Sequence, residues 1–412
     1  MSEYQPKPLM AVRVALDFLL AAARPVAETE TIPTLNANGR VLARAQTSAI
    51  NVPAMDNTQM DGYAVRAADC VSGSATLTVS QRIPAGHVGQ PLLPGSAARI
   101  FTGALIPEGA DAVVMQEQCE LVDNQVANFV TVNHAPKPGE WIRRAGEDIT
   151  AGSVILPAGT RLRSQELGLA ASVGLAELPV RRKLRVAVFF TGDELAMPGE
   201  PLAPGAIYNS NRYTLRALLE NLGCDITDHG IVPDSLAATR ATLRACARDH
   251  DLIITSGGVS VGEEDHIKPA VEAEGRLNLW QIAVKPGKPL AFGEVGQAFF
   301  VGLPGNPVSS FVTFLLFVRP FILRLQGVED ARALAPAAYA MRADFHWPKA
   351  DRRNEFLRAR INDDGGLELF HNQSSGVLTS TVWGDGLIDN PPGQTIAPGD
   401  TVRFIPFSAL LH

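Results

Sequence analysis

Two lysines and a run of acids carry the chain's clearest chemistry. KPGKP sets Lys285 and Lys288 three residues apart, with Pro286 and Pro289 stiffening the loop between them. Two ammonium groups on a rigid loop bind an oxyanion or a phosphate well, because little freedom is lost when the anion arrives. A second stretch, TSGGVSVGEED, places Ser256, Gly257, Gly258, Ser260 and Gly262 ahead of Glu263, Glu264 and Asp265. One glycine suffices for a short turn from strand to helix. Three glycines and two hydroxyls expose backbone N–H groups at a helix start, which suits an anion. The stretch is neither a Walker A nor a GxGxxG pattern. Its acids read equally well as helix-start residues favoured by capping and the macrodipole.

The mixture of charges narrows the chemistry. Lysines attract a phosphate, and carboxylates repel one unless a divalent cation lies between them. Carboxylate oxygens bind Mg²⁺, which keeps substrate phosphates as further ligands. The combination points to a magnesium-assisted site acting on a phosphorylated substrate.

These residues need a scaffold that gathers them. From residue 184 the apolar runs LRVAVFF, CDITDHGIV, DLIIT, LNLWQIAV, PLAFG and AFFVGL read as strands. Helices are expected over 212–222, over 236–249, from about 264 and over 307–325, the last with Asn306 as cap and Pro307 at the first helical position. Such alternation predicts a parallel sheet covered on both faces. Ligands of an open parallel sheet bind beyond the C-terminal strand ends. Five loops therefore converge: TGDEL with Asp193 and Glu194, VPDS with Asp234, the serine–glycine stretch, KPGKP, and PGNPVS with Pro304, Asn306 and Pro307.

At 412 residues the chain holds two to four domains. The expected division is a discontinuous N-terminal domain of 1–50 with 149–182, a β-rich domain of 51–148, the α/β domain of 183–330, and a small β-barrel or sandwich over 331–412. The piece 149–182 is expected to pack with the N-terminal helix over 8–23. Three polar stretches lie outside the α/β block: VPAMDNTQMDGYAV with Asp61, RIFTGALIPEGAD with Thr102, and RRAGEDI with Asp148. Each reads locally as a turn with side-chain bonds, and spacing alone does not bring them to the cleft.

Composition excludes several classes. Net charge is −7 and no basic run marks a nucleic-acid surface. Arg181, Arg182 and Lys183 read as a solvated junction patch. The four cysteines stand far apart without a CxxC spacing, which suits reduced thiols. Arg13 and Asp17 interrupt the first apolar stretch, against a signal peptide, and the uncharged run Phe311 to Val318 is too short to span a bilayer. A soluble, cytoplasmic protein without membrane attachment is expected.

With these motifs in hand, the chain resembles the molybdopterin molybdenumtransferases, the MoeA and gephyrin E-domain family. MDGYAV, FTGA, GED, TGDEL, SGGVSVGEED, KPGKP and GLPGNPVS occur in the family's order across residues 8 to 326, and the remainder matches by length and β character. The resemblance implies a Mog-like molybdopterin-binding α/β domain and an elongated homodimer with a composite active site. It implies a reaction in which adenylylated molybdopterin and molybdate yield molybdenum cofactor and AMP with Mg²⁺, and a transient contact with the molybdopterin adenylyltransferase. It marks Asp61, Thr102, Asp148, Glu194, Asp234, Asp265, Lys285 and Lys288 as reacting-site residues. Ser256, Gly257, Gly258, Ser260, Gly262, Pro304, Asn306 and Pro307 would line the cofactor pocket. Asp265, with Asp234 or Glu194, would hold Mg²⁺, the lysines would neutralise charge developing on phosphorus, and Thr102 and the serines would donate to molybdate. Three departures stand out: Thr58 and Gln59 for the usual Ser and Ala, His266 for a common Tyr, and Ser374 for a usual Gly. A nucleotide pyrophosphatase on the same α/β domain and a molybdopterin scaffold without turnover are the competing readings; MDGYAV and FTGA argue against the first, the retained acids against the second.

Overall fold

The computed structural model describes residues 9–124, 127–258 and 266–411. At its centre lies a six-stranded sheet in the order Asp225–Val232, Arg185–Thr191, Leu252–Ser256, Ala298–Leu303, Pro289–Val295, Gly275–Gln281. The first four strands run parallel. Pro289–Val295 runs against both of its neighbours. The sheet is therefore parallel apart from one strand, for a simple reason: the segment from Gln281 to Pro289 is too short for a crossover helix. One consequence helps the site. Gly275–Gln281 points the same way as the parallel set, so KPGKP still leaves from the C-terminal edge.

The inner strands are buried on both faces and alternate by side-chain direction. Val186, Val188, Phe190, Ile254 and Val301 join the larger core with helix Pro307–Leu325. Ala187, Phe189, Ile253 and Phe300 face the other way, against helices Leu236–Asp249 and Ile267–Glu274. Helix Pro307–Leu325 is apolar and long enough to cross a membrane, yet 94% of its most apolar eighteen-residue stretch is buried inside the protein, as in a core helix. A π turn, Phe314–Val318, interrupts it. Pro320 follows two residues later, with no N–H for the carbonyl four residues back and a ring that crowds it.

The N-terminal helix Val12–Ala22 corrects an expectation. It buries Ala15 and Leu19 in the core of the α/β block, sets Phe18 edge-on to Phe292, and is preceded by a backbone bond from Met10 to Gln281. The piece over 149–182 pairs instead with residues 29–47: Glu177–Arg181 with Thr29–Pro33, and Val154–Leu156 with Gln46–Thr47. Arg182 likewise is no solvated cation. It clamps Asp251 through both terminal nitrogens, at 2.7 and 2.8 Å, and reaches Glu28.

The β-rich segment forms one sheet in the order Ala112–Met115, Gly62–Val65, Ser96–Ile100, Ala75–Ile83, Ala127–Val132, Cys119–Asn124. The C-terminal segment closes on itself. Leu367–Leu369, Asn354–Ile361, Gly386–Asn390, Thr401–Pro406 and Tyr339–Arg342 pair in turn, and a bridge from Ala343 to Leu367 completes the ring around Leu357, Ile388 and Phe404. This barrel borrows one strand from the α/β block: Val284–Lys285 pairs in parallel with Asn354 and Glu355.

Candidate active site

A cleft of about 750 Å³ opens at the C-terminal edge of the central sheet. Four of the five expected loops line it within the described residues: Glu194 from TGDEL, Ser256 to Gly258, Lys285 to Pro289, and Pro304 to Pro307. Asp234 stands one contact behind, its Oδ1 accepting from the Thr191 hydroxyl at 3.1 Å, and Thr191 lines the cleft. Ser260, Gly262 and Asp265 lie outside the described residues.

The floor is built by close backbone approach. Gly257 has φ +96°, and a Cβ there would sit 3.0 Å from the Thr191 carbonyl; Gly305 faces Gly257 across the gap. Only glycine adopts this conformation so near another backbone at little cost. Ser256 fastens the loops together. Its hydroxyl donates to the Pro304 carbonyl at 2.9 Å and accepts from Asn211 Nδ2 at 2.8 Å. Its proton is thereby committed, so Ser256 holds the pocket's shape rather than donating to an oxyanion. Asn211 also donates to the Gly305 carbonyl at 2.7 Å.

The two lysines differ. Lys285 donates to Glu355 at 2.9 Å and lies 3.3 Å from Asp351. Glu355 is almost fully buried and is held from its other oxygen by the Trp347 indole N–H at 2.8 Å. Burial alone would push the Lys285 ammonium down; the pairing with Glu355 and Asp351 outweighs it and raises the group above its ordinary value. Arg353 stands on the same wall, bound through two nitrogens to Asp351, whose carboxyl is held low chiefly by that guanidinium. Lys288 is exposed to the cleft and has no carboxylate partner among the described residues. Three cations less two carboxylates leave this wall one positive charge in surplus. Lys285 is thus a paired, oriented cation, and Lys288 is the exposed charge that a bound anion would meet.

The helix start beyond PGNPVS also differs from expectation. Asn306 makes no side-chain cap. The Val308 N–H donates instead to the Ser375 carbonyl of the barrel domain at 3.0 Å. Ser374 and Ser375 reach the cleft because Arg358 positions their loop. Arg358 is almost fully buried with no carboxylate partner among the described residues, and burial lowers it to about 10. It donates to Ser380 Oγ and to the Phe356 and Ser374 carbonyls, while its own backbone N–H and carbonyl bond the Gln373 amide group.

Sequence reasoning missed Asn209, Asn211, Arg353, Gln373 and Ser375. Asn209, which lines the cleft, caps helix Ser210–Asn221 by accepting from the Arg212 N–H at 3.2 Å, and its buried Nδ2 has no partner among the described residues. The Asn-Ser-Asn start is itself a capping signal; placing that helix two residues late hid it. Arg353, Gln373 and Ser375 come from a separate barrel and carry no local mark.

Asp61, Thr102 and Asp148 do not line this cleft. Asp61 and Thr102 do meet each other: the Thr102 N–H and hydroxyl both donate to Asp61 Oδ1 at 2.7 Å. Those two bonds hold the Asp61 carboxyl below its ordinary range. Asp148 is exposed on a neighbouring turn, its N–H bonded to the Val52 carbonyl.

The carboxylates nearest a cation site are Glu194, on the cleft lining, and Asp234, one contact behind it on the adjacent loop. Among the described residues no three His, Cys, Asp or Glu side chains cluster closely enough to cage a metal. Two carboxylates suit Mg²⁺, which takes its remaining ligands from water and phosphate.

An α/β domain with a basic and acidic cleft, flanked by a β-rich domain and a small barrel, defines the MoeA type of protein. Family models match in the same order: the MoeA N-terminal region (domain I and II) at residues 10–174, a probable molybdopterin binding domain at 187–324, and the MoeA C-terminal region (domain IV) at 340–407. A crystal structure of the molybdopterin biosynthesis moeA protein of Pyrococcus horikoshii superposes with a TM-score of 0.82 at 28% identity, covering 97% of this chain and 100% of that one. The molybdopterin molybdenumtransferase of Haemophilus influenzae is 43% identical over 93% of this chain and 95% of its own length. That of a Nostoc species is 37% identical over 89% and 86%. The chain belongs to the molybdopterin molybdenumtransferase family.

Proposed function

We propose that the protein inserts molybdate into adenylylated molybdopterin, with Mg²⁺-dependent release of AMP. The observation that carries this reading is the cleft's division of charge: Lys288, Lys285 and Arg353 on one wall, Glu194 with Asp234 behind it on the other. The cationic wall suits the phosphate and the molybdate oxyanion. Glu194 and Asp234, with Asp265, would hold Mg²⁺, which when bound draws charge from the phosphoanhydride. Lys288 would neutralise charge developing on the phosphoryl oxygens as the bond to AMP breaks. The unpartnered Asn209 amide and the Ser374–Ser375 loop would fix the substrate's orientation.

The protein acts as a homodimer in this reading. Asp61 and Thr102 form a preset polar pair that does not border its own subunit's cleft, and a second subunit supplies it to the cleft across the interface. The reading includes a passing contact with the molybdopterin adenylyltransferase that delivers the adenylylated substrate, and action in the cytoplasm, where its four free cysteines stay reduced. Purified protein mixed with adenylylated molybdopterin, Mg²⁺ and molybdate tests the proposal. AMP and metal-loaded cofactor are expected together; AMP without metal insertion would show a pyrophosphatase instead.

A further inference from the structure

A second cationic recess lies on the β-rich domain. Arg82 and Arg99 are register neighbours on adjacent strands. Both guanidinium groups lie over the Phe101 ring, 4.4 and 4.7 Å from its centre, and Arg99 is also 5.2 Å from the Tyr63 ring. A cavity of about 500 Å³ opens beside them, walled by Val79, Leu121, Val122 and Phe129. Leu121 and Val122 are 71% and 41% exposed.

Arg99 donates to the Gly62 carbonyl at 3.0 Å and to the neutral Gln116 side chain at 2.6 Å. Neither Arg82 nor Arg99 forms an ion pair with a carboxylate among the described residues, in a chain of net charge −7. Two like charges sharing one ring repel each other. The ring quadrupole offsets part of that by cation–π attraction. Arg82, set over Phe101 alone among the described residues, keeps its edge N–H groups for an oxyanion and its other face for a second ring, and Arg99 adds the N–H groups not given to Gly62 and Gln116. Apolar walls next to those edges take an aromatic body.

We propose that this recess binds a small planar aromatic anion, such as an aryl phosphate, with its ring against Leu121 and Phe129 and its anionic group on the edges of Arg82 and Arg99. The occupant would be sensed at Asp61. Arg99 holds the carbonyl of Gly62, the next residue, and its charge contributes to the low Asp61 carboxyl.

Calorimetric titration of the full-length protein with phenyl phosphate and with inorganic phosphate tests the site. A Lys288→Ala background weakens the cleft as a competing anion site. In that background phenyl phosphate is expected to bind at least tenfold more tightly than inorganic phosphate. Adding Arg82→Ser, an exposed position, should weaken phenyl phosphate at least tenfold, and Arg82→Lys should give an intermediate loss. Unchanged phenyl phosphate affinity on adding Arg82→Ser would overturn the proposal, as would absence of binding in the background protein. Equal affinities for the two phosphates would overturn recognition of the ring.

Discussion

The cleft and the Asp61–Thr102 pair carry similar residue types in opposite states. In the cleft, among the described residues, Lys288 has no counterion and Asn209 keeps a buried amide without a partner. In the β-rich domain, Asp61 already accepts both donors that Thr102 offers. Unsatisfied groups in an enclosed space call for a ligand; a satisfied pair on an open face positions itself for something that arrives from outside. The same chain thus holds an open cleft and, apart from it, a preset polar pair.

The sharpest way to break this comparison is subunit complementation. Glu194→Ala and Asp61→Ala should each cut turnover by about 10²–10³-fold, the scale of losing one group aimed at developing charge. Dissociated, mixed and reassembled, the two inactive proteins should recover about a quarter of wild-type activity, because half the dimers are mixed and each mixed dimer has one intact composite site. No recovery above the parents would place Asp61 outside a shared site.

Next in size is the anchor beneath Lys285. Glu355→Gln should destabilise the protein by about 2–3 kcal/mol, less than a fully buried pair because Lys285 is partly exposed and Asp351 remains. Urea denaturation reads this directly. A loss below about 0.5 kcal/mol would mean that the pairing does not organise the wall. Lys288→Ala should do the reverse, weakening substrate binding about tenfold, the worth of one charge-assisted contact, with an unchanged urea midpoint.

The smallest effect is on acid stability. Asp351 is held low chiefly by Arg353; at Asp251 burial pushes the carboxyl up, but Arg182 and the Arg185 N–H outweigh it and leave it lowered. Each therefore adds stability in full above the ordinary aspartate range near pH 4, and that contribution fades as pH falls below it. Asp251→Asn should flatten the acid limb of a stability–pH curve measured between about pH 5 and pH 2. An unaltered limb would remove the domain-junction clamp as its source.

Much of this was legible from residue order. The near-continuous apolar runs place the strands, and a sheet whose strands share direction must gather their C-terminal loops, so Glu194, Ser256, Lys285 and Pro304 were found without coordinates. What stayed hidden was long-range. Lys285 meets Glu355, seventy residues on, through a strand it lends to another domain. The Val308 N–H is taken by Ser375, which no pattern near either residue announces. The N-terminal helix shows its apolar face but not which core receives it. Asp61 meets Thr102 across forty-one residues, a contact that no local spacing announces.

That lent strand has a mechanical meaning. Because Val284 and Lys285 are stitched to the barrel's first long strand while the next residues return to the central sheet, the lysine arm is a hinge pin shared by two rigid pieces. Tilting the barrel would swing the cleft's positive wall with it, so the spacing across the gap is set by how the last domain sits, and a substrate gripping both walls would lock that posture.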